Sequence, residues 1–136
     1  MKGKITEEEK NCIFCKMIKG EITVTPLIKD KKYLIMLDRS PINPGHTLVI
    51  PKKHTNYIFD LNDREYKKLM LKAKEIAKIL KKKMDCKRVG MAVEGFGVPH
   101  VHIHLVPENH GNELNPERAK PMKQEELNII TKRILK

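Results

Sequence analysis

The chain has 136 residues, of which 40% are hydrophobic and 33% are charged. These values fit one compact domain with its own core, and they argue against a wholly disordered chain and against a membrane-spanning protein. The 28 Lys and Arg residues outnumber the 17 Asp and Glu residues, so the net charge of +11 predicts attraction to anions.

The N-terminal end is expected to be a charged tail covering residues 1–11, because it is rich in charge and lacks the apolar stretch of a signal peptide. Three cysteines do not make a disulfide framework. The sequence therefore predicts a soluble, cytoplasmic protein with no membrane partner, whose single domain covers residues 12–136.

The first half of the domain alternates short apolar runs with turn residues. Residues 23–29 and 33–38 are predicted to form two strands around a charged turn, and residues 46–50 a third strand that stops at Pro51. From Asn62 to Arg88 apolar residues recur every three or four positions, which predicts one long lysine-rich amphipathic helix. Asn62 and Glu65 have the spacing of a capping box, and Gly90 is expected just beyond the helix end.

The second half supplies two more strands and a closing helix. Residues 88–93 and 100–106 are predicted strands joined by a turn, and residues 124–135 are a predicted helix. One long helix, a C-terminal helix and mostly hairpin-length connections predict an α+β domain with an antiparallel five-stranded sheet.

The most informative stretch contains three histidines that alternate with aliphatic residues, in the order His100, Val101, His102, Ile103, His104 and Leu105. On a strand the three imidazoles share one face and the aliphatic side chains share the face that packs on the core. Packing alone does not explain this regularity, so the pattern indicates a functional site. Two hypotheses compete: a catalytic zinc held by three histidines, or neutral imidazoles in nucleophilic or acid–base catalysis.

Cys12 and Cys15 form a Cys-x-x-Cys motif, which is typical of half a zinc site or of a redox pair. The redox interpretation requires a thioredoxin-like βαβ context that the sequence lacks. His54 is a candidate third ligand, and one histidine of the alternating stretch would close a structural tetrahedral site. The other strand histidines would then stay free for chemistry.

Taken together, these motifs resemble the histidine triad (HIT) family of nucleotide-binding proteins. Residues 100–106 carry the family's pattern of three alternating histidines, and the similarity extends through residues 12–22, 37–38 and 44–54 in family order and spacing. The resemblance implies a HIT fold that pairs into a homodimer with a continuous sheet. It also implies an enzyme that cleaves AMP-amides, AMP-esters or dinucleoside polyphosphates at the α-phosphate through a nucleotidyl-histidine intermediate.

The resemblance also implies a role for each matching residue. His102 would be the nucleophile, His104 would contact the phosphate and the leaving group, and His46 would lie against this cluster. Asp38 would bind the ribose of a purine nucleotide, and the apolar side chains of Phe14 and Leu37 would contact its base. Backbone N–H groups of Gly97 and Val98 would bind its phosphate. A structural zinc would be held by Cys12, Cys15, His54 and His100.

One departure from the family pattern lies just before the histidines. Gly95, Phe96 and Gly97 stand where many members carry Gly-Gln-Ser/Thr, whose polar side chains contact phosphate. A binding module of the same fold with negligible turnover is therefore a second hypothesis. Binding of nucleic acid through the lysine-rich helix is disfavoured, because aromatic residues make up 4% of the chain and Trp is absent.

Overall fold

The computed structural model describes residues 5–136; residues 1–4 of the expected charged tail lie outside the described residues. The helices and strands are α1 (Glu7–Lys10), α2 (Ile13–Ile18), β1 (Tyr33–Leu37), β2 (Thr47–Pro51), α3 (Asp63–Lys83), β3 (Arg88–Val93), β4 (Ile103–Glu108) and α4 (Gln124–Leu135). The predicted α+β class, with one long helix and a C-terminal helix, is confirmed. Within the described part of the chain, no helix has the length and apolarity needed to cross a bilayer.

Within residues 5–136 the sheet is antiparallel and has four strands in the order β1-β2-β4-β3, so the prediction of five strands is wrong. Residues 23–29 form no strand and make one isolated bridge, between Ile28 and Ile35. The Leu27 N–H donates to the Ile35 carbonyl at 2.7 Å. Pro26, which precedes Leu27, has no N–H to continue the pairing.

The long helix α3 begins as the sequence predicts and ends earlier. The Glu65 N–H donates to the Asn62 side chain at 2.8 Å, and the Glu65 carboxylate accepts from the Asn62 N–H at 3.3 Å, which completes the capping box. The helix ends at Lys83, because Asp85 takes a positive φ of 50° and the chain turns into β3. Gly90 lies inside β3 rather than just beyond the helix.

Side-chain alternation gives the sheet two different apolar faces. The face covered by α3 and α4 contributes Ile35, Val49, Ile103 and Leu105, which pack against helix residues that include Leu69, Ile76, Leu80 and Ile130. The opposite face contributes Leu34, Met36, Leu48 and Ile50, which pack against Cys12, Phe14 and Cys15. The segment around α2 is thereby held against the second face, where the histidines lie.

Candidate active site and metal centre

The alternating histidines enter the sheet later than predicted, because β4 begins at Ile103 and not at residue 100. Before that point the chain is extended but leaves the ladder, since the Val101 N–H donates to the Thr55 carbonyl at 2.8 Å. The alternation of faces nevertheless holds: Val101, Ile103 and Leu105 are buried in the cluster beneath α3. The three histidines are left for the opposite face.

His100 joins a group of four residues that could hold a metal ion, Cys12, Cys15, His54 and His100, whose ligand atoms all lie within 4.8 Å of one another. The His100 Nδ1 is 3.3 Å from the Cys12 sulfur and 3.5 Å from the Cys15 sulfur. The His54 Nδ1 is 3.2 Å from the Cys15 sulfur and 3.0 Å from the His100 Nδ1. One turn of α2 brings the two sulfurs together, with the Cys15 N–H pointing at the Cys12 sulfur.

The outer hydrogen bonds of the two histidines in this group orient the lone pairs of their rings. The His100 Nε2–H donates to the Pro51 carbonyl at 2.7 Å, and the His54 Nε2–H donates to the Glu8 carboxylate at 3.2 Å. Both Nδ1 lone pairs therefore face the sulfurs. Burial, and then the hydrogen bond with Cys12, raise the pKa of the Cys15 thiol to about 12. A bound cation would reverse this by stabilising the thiolates, and two thiolates with two imidazoles are a typical closed zinc donor set.

His102 lies beside the metal group but points elsewhere. Its Nδ1–H donates to the His100 carbonyl at 2.6 Å, so the lone pair of the neutral ring is on Nε2. The ring is 6% exposed, and the edge of Phe14 packs against it with the ring centroids 4.9 Å apart. A backbone carbonyl and an aromatic side chain together fix the tautomer and the orientation of His102.

His46 and His104 form a second pair whose protons can also be assigned. The Ile42 N–H donates to the His46 Nδ1 at 3.0 Å, so the neutral His46 carries its proton on Nε2. The His46 Nε2 is 2.9 Å from the His104 Nδ1, at which its proton points. The Asp38 carboxylate is 3.6 Å from the His46 Nε2. His104 is left with its own proton on Nε2. Burial lowers the pKa of both imidazoles, that of His104 to about 4, so both rings are neutral near pH 7.

The distances alone would allow a second metal site at Asp38, His46 and His104, whose donor atoms lie within 4.8 Å. A metal on the His46 Nε2 would place the remaining proton on Nδ1, where it would face the Ile42 N–H donor. The peptide group therefore opposes a metal at this position. The three alternating histidines do not converge on one ion either: His100 lies with the cysteines, His104 with His46, and His102 with neither group.

The segment that follows β4 fixes the loop that carries Ile42. The Glu113 carboxylate accepts from the N–H groups of Asn109 and His110, both at 2.6 Å, and from the Asn43 side chain at 2.9 Å. These bonds hold the pKa of Glu113 well below its usual range, at about 2. Arg118 donates to the Asn43 side-chain oxygen at 2.9 Å. Sequence reasoning missed these residues, because contacts between segments this far apart leave no local pattern.

The residues expected to bind the nucleotide are only partly brought together. Phe14 and Val98 lie in the cluster on the histidine face, Asp38 lies beside His46, and Gly97 is exposed in the preceding loop. Leu37 packs on the opposite face, beneath the helices. Met36 lies with Phe14 instead. Side-chain alternation was the signal that could have found it, because residues two apart share a face and Met36 is two before Asp38.

The model of the HIT domain family matches residues 19–111, which is more than half of the chain. The chain belongs to the HIT family. It is 39% identical over 100 residues to the adenosine 5′-monophosphoramidase of Saccharomyces cerevisiae, in an alignment that covers 71% of this chain and 62% of the yeast protein.

Solved HIT structures share the fold. A HIT-like protein from Bartonella henselae, described as involved in cell-cycle regulation, superposes with a TM-score of 0.81 at 30% identity, covering 92% of this chain and 94% of that one. A zinc-bound histidine triad family protein from Mycobacterium smegmatis superposes with a TM-score of 0.75 at 26% identity, covering 93% and 95% of the two chains. The α+β architecture described above is therefore the HIT fold.

The proton assignments can be tested by ¹⁵N NMR of the imidazole rings. We expect His46 and His104 to carry their protons on Nε2 at pH 7, and His104 to titrate near pH 4 because burial disfavours its cationic form. In a His46→Gln variant the side-chain amide can still donate to His104, so the tautomer should persist. A His46→Leu variant lacks this donor, so the proton of His104 should no longer be confined to Nε2. Titration of His104 near 6.5, or a proton on its Nδ1 in the wild type, would contradict the assignment.

Proposed function

We propose that this HIT protein hydrolyses nucleoside 5′-monophosphate derivatives, above all AMP-amides, through a nucleotide transiently bonded to His102. The observation that carries the proposal is the His102 ring, whose Nδ1 is hydrogen-bonded to the His100 carbonyl and whose Nε2 lone pair is available for attack. The similarity to a yeast adenosine 5′-monophosphoramidase supports an adenine nucleotide and a phosphoramidate as the substrate class. AMP-esters and dinucleoside polyphosphates contain the same reacting α-phosphate.

The first chemical step forms one bond and breaks another at phosphorus. The His102 Nε2 attacks the α-phosphorus, and the leaving group departs with the electron pair of its bond to phosphorus. The ring becomes a nucleotidyl-imidazolium, and the Nδ1–H that it retains still donates to the His100 carbonyl, which stabilises the positive charge. In the second step water attacks phosphorus, His102 departs as a neutral imidazole, and AMP is released with the loss of one water proton to the solvent.

His104 acts in this scheme as a neutral hydrogen-bond donor. Its proton is on Nε2 because its Nδ1 accepts from His46, and this N–H would contact a phosphate oxygen of the substrate. The donor chain begins at the Ile42 peptide N–H, which cannot release a proton at neutral pH. This series of hydrogen bonds would therefore align the phosphate without supplying a proton. The leaving amine would take its proton from solvent.

The nucleotide would lie on the histidine face of the sheet. Asp38 would accept hydrogen bonds from the ribose hydroxyls, and Phe14 and Met36, rather than Leu37, would cover the base. The backbone N–H groups of Gly97 and Val98 would contact the α-phosphate oxygens. This assignment uses backbone donors at the place where many family members use Gln and Ser or Thr side chains.

A structural zinc ion is the second part of the proposal. Cys12, Cys15, His54 and His100 offer two sulfurs and two nitrogens that suit tetrahedral zinc, and their residues occur in a fold shared with a zinc-bound family member. The ion would tie α2 to the segment before β4 and contribute several kcal/mol (about 5 or more) to folding. It would neither touch the substrate nor take part in a chemical step.

A homodimer is the third part. β3 is an edge strand, so one side of its backbone has no neighbouring strand among the described residues. Large apolar side chains are exposed around it, namely Tyr57, Phe59, Met91, Val93 and Phe96. Pairing of β3 with its copy would extend the sheet across both subunits and cover this apolar patch.

Catalysis is tested by AMP release from an adenosine 5′-phosphoramidate. We expect the wild type to release AMP and His102→Ala to lose at least about 10³-fold in rate, because the nucleophile is removed. Mass spectrometry of a rapidly quenched reaction should show a nucleotidyl adduct on His102. His110→Ala, at an exposed histidine outside the site, is the matched control. A folded wild type that binds AMP without turnover would favour the binding-module hypothesis instead.

Elemental analysis tests the metal centre. We expect about one zinc ion per chain. The Cys12→Ser/Cys15→Ser double variant should lose the metal and unfold at a lower temperature. Cys86→Ser, which changes a buried cysteine outside the group, should keep the zinc. Zinc retained after the loss of both cysteines would place the ion elsewhere and contradict the assignment.

Sedimentation analysis tests the dimer. Phe59→Glu with Met91→Glu places two carboxylates in the apolar patch around β3 and should yield monomers, because burying unpaired charge is costly. Ile129→Glu is the control, since Ile129 on α4 is 66% exposed and Phe59 is 68% exposed. This variant should remain dimeric. A wild type that sediments as a monomer at all concentrations would refute the dimer.

A further inference from the structure

A second concave surface, which includes neither His102 nor His104, lies between the β1–β2 hairpin and the first turns of α3. This basic cleft has a volume of about 510 Å³ and is lined by six cationic side chains, Lys31, Lys32, Lys52, Lys53, Arg64 and Lys68. Among the described residues that line it, Glu65 is the single acid. The cleft therefore concentrates positive charge in a concave surface, where the local potential is strongest.

The acids near the cleft are already engaged with other cations. The Glu65 carboxylate pairs with Lys53 at 2.9 Å, and the Asp30 carboxylate pairs with Lys72 on α3 at 3.0 Å. Within residues 5–136, one of the six cations, Lys53, has an acidic partner within ion-pair distance. The other five, Lys31, Lys32, Lys52, Arg64 and Lys68, are left without a compensating carboxylate.

Among these five cations, Lys68 is close enough to Arg64 and Lys32 for their positive charges to repel it. Arg64, followed by Lys32, lowers the pKa of Lys68, which is the expected effect of neighbouring positive charges. Arg64 and Lys68 are four residues apart on α3, a spacing at which like charges destabilise a helix. An anion with several negative charges would relieve this repulsion by bridging the three side chains.

The floor of the cleft differs from its rim. Tyr33, Pro51, Leu61 and Leu69 line it and give it an apolar base beneath the cationic side chains. An apolar floor with a few charged groups at the rim is typical of small-molecule sites, and the volume lies in the usual range of about 300–1,000 Å³. Tyr33 is the single aromatic side chain in the lining, whereas surfaces that bind single-stranded nucleic acid present several for stacking.

The basic cleft lies on the other face of the sheet from His104, although Pro51 in its lining also accepts a hydrogen bond from His100. Tyr33 and Leu69 belong to the apolar cluster beneath α3. His104 pairs in register with Leu48, whose side chain belongs to the cluster on the opposite face. A ligand in the cleft would therefore leave the site around His102 free.

We propose that the basic cleft binds a compact ligand that carries a chain of two or more phosphates. The five cations without an acidic partner exceed the charge of a single phosphate monoester, which carries only about two negative charges at neutral pH, so a diphosphate or triphosphate balances them better. Inorganic polyphosphate and a nucleoside polyphosphate share this chemistry. The apolar floor would add affinity for the base of a nucleotide. A nucleoside polyphosphate should therefore bind more tightly than inorganic polyphosphate if the base enters the cleft. This site is independent of the proposed hydrolysis at His102.

Isothermal titration calorimetry with inorganic tripolyphosphate at physiological salt, in the presence of saturating AMP, tests the proposal. We expect saturable binding that AMP does not displace. The Arg64→Gln/Lys68→Gln variant should bind at least about tenfold more weakly, because two charge-assisted contacts are lost. A parallel titration with ATP shows whether the base contributes, since affinity above that for tripolyphosphate would assign the cleft to nucleoside polyphosphates.

The matched control is Lys78→Gln/Lys82→Gln, which removes two exposed positive charges from the same helix farther from the cleft. It should bind tripolyphosphate within about twofold of the wild type, and both double variants should hydrolyse adenosine 5′-phosphoramidate like the wild type. Equal weakening in both variants would show that diffuse net charge attracts the anion and overturn the proposal. Absence of saturable binding, competition by AMP, or much tighter binding of a single-stranded oligonucleotide at the same residues would also overturn it.

Discussion

The position of one residue, His100, connects the four residues that could hold a metal ion with the ring of His102. Its ring points at two cysteine sulfurs and is anchored by the Pro51 carbonyl, while its own carbonyl accepts from the His102 ring at 2.6 Å. Because a peptide group is planar and rigid, fixing the ring and backbone of His100 also fixes where the His102 Nε2 lone pair points. An ion bound to the four ligands would thus orient the reacting imidazole from a distance, with no contact to substrate.

Backbone groups set the tautomers of His102 and His46 and, through His46, that of His104. The His100 carbonyl accepts from His102, and the Ile42 N–H donates to His46, which in turn donates to His104. A peptide group does not titrate near neutral pH, so these assignments hold across a wide pH range. Burial acts in the same direction, because it lowers the pKa of His46 and of His104. The loop that carries Ile42 is held in turn by Glu113 through Asn43, which gives the segment after β4 a role in the geometry of the site.

Local periodicity explains what the sequence could predict. The 3.6-residue repeat of α3, the two-residue alternation before and along β4, and the Cys-x-x-Cys spacing each reflect a geometry within one short segment. Features that depend on distant partners escaped prediction. Residues 23–29 have strand-like composition, but the proline and the lack of a continuous partner limit them to one bridge. The contact between Glu113 and Asn43 joins segments 70 residues apart. The placement of Met36 rather than Leu37 on the histidine face, in contrast, follows from local alternation along β1.

The two faces of the sheet differ in how they can recognise an anion. At the proposed nucleotide site, neutral imidazoles and backbone groups would select by the direction of hydrogen bonds, beside the acidic Asp38. In the basic cleft, cationic side chains would select by the density of charge. A net charge of +11 attracts every anion at long range, but at physiological salt this attraction is screened beyond about 8 Å. Discrimination between anions therefore depends on the local arrangement of hydrogen-bond donors and charges. The two proposed sites would thus bind a nucleoside monophosphate on one face of the sheet and a polyphosphate on the other.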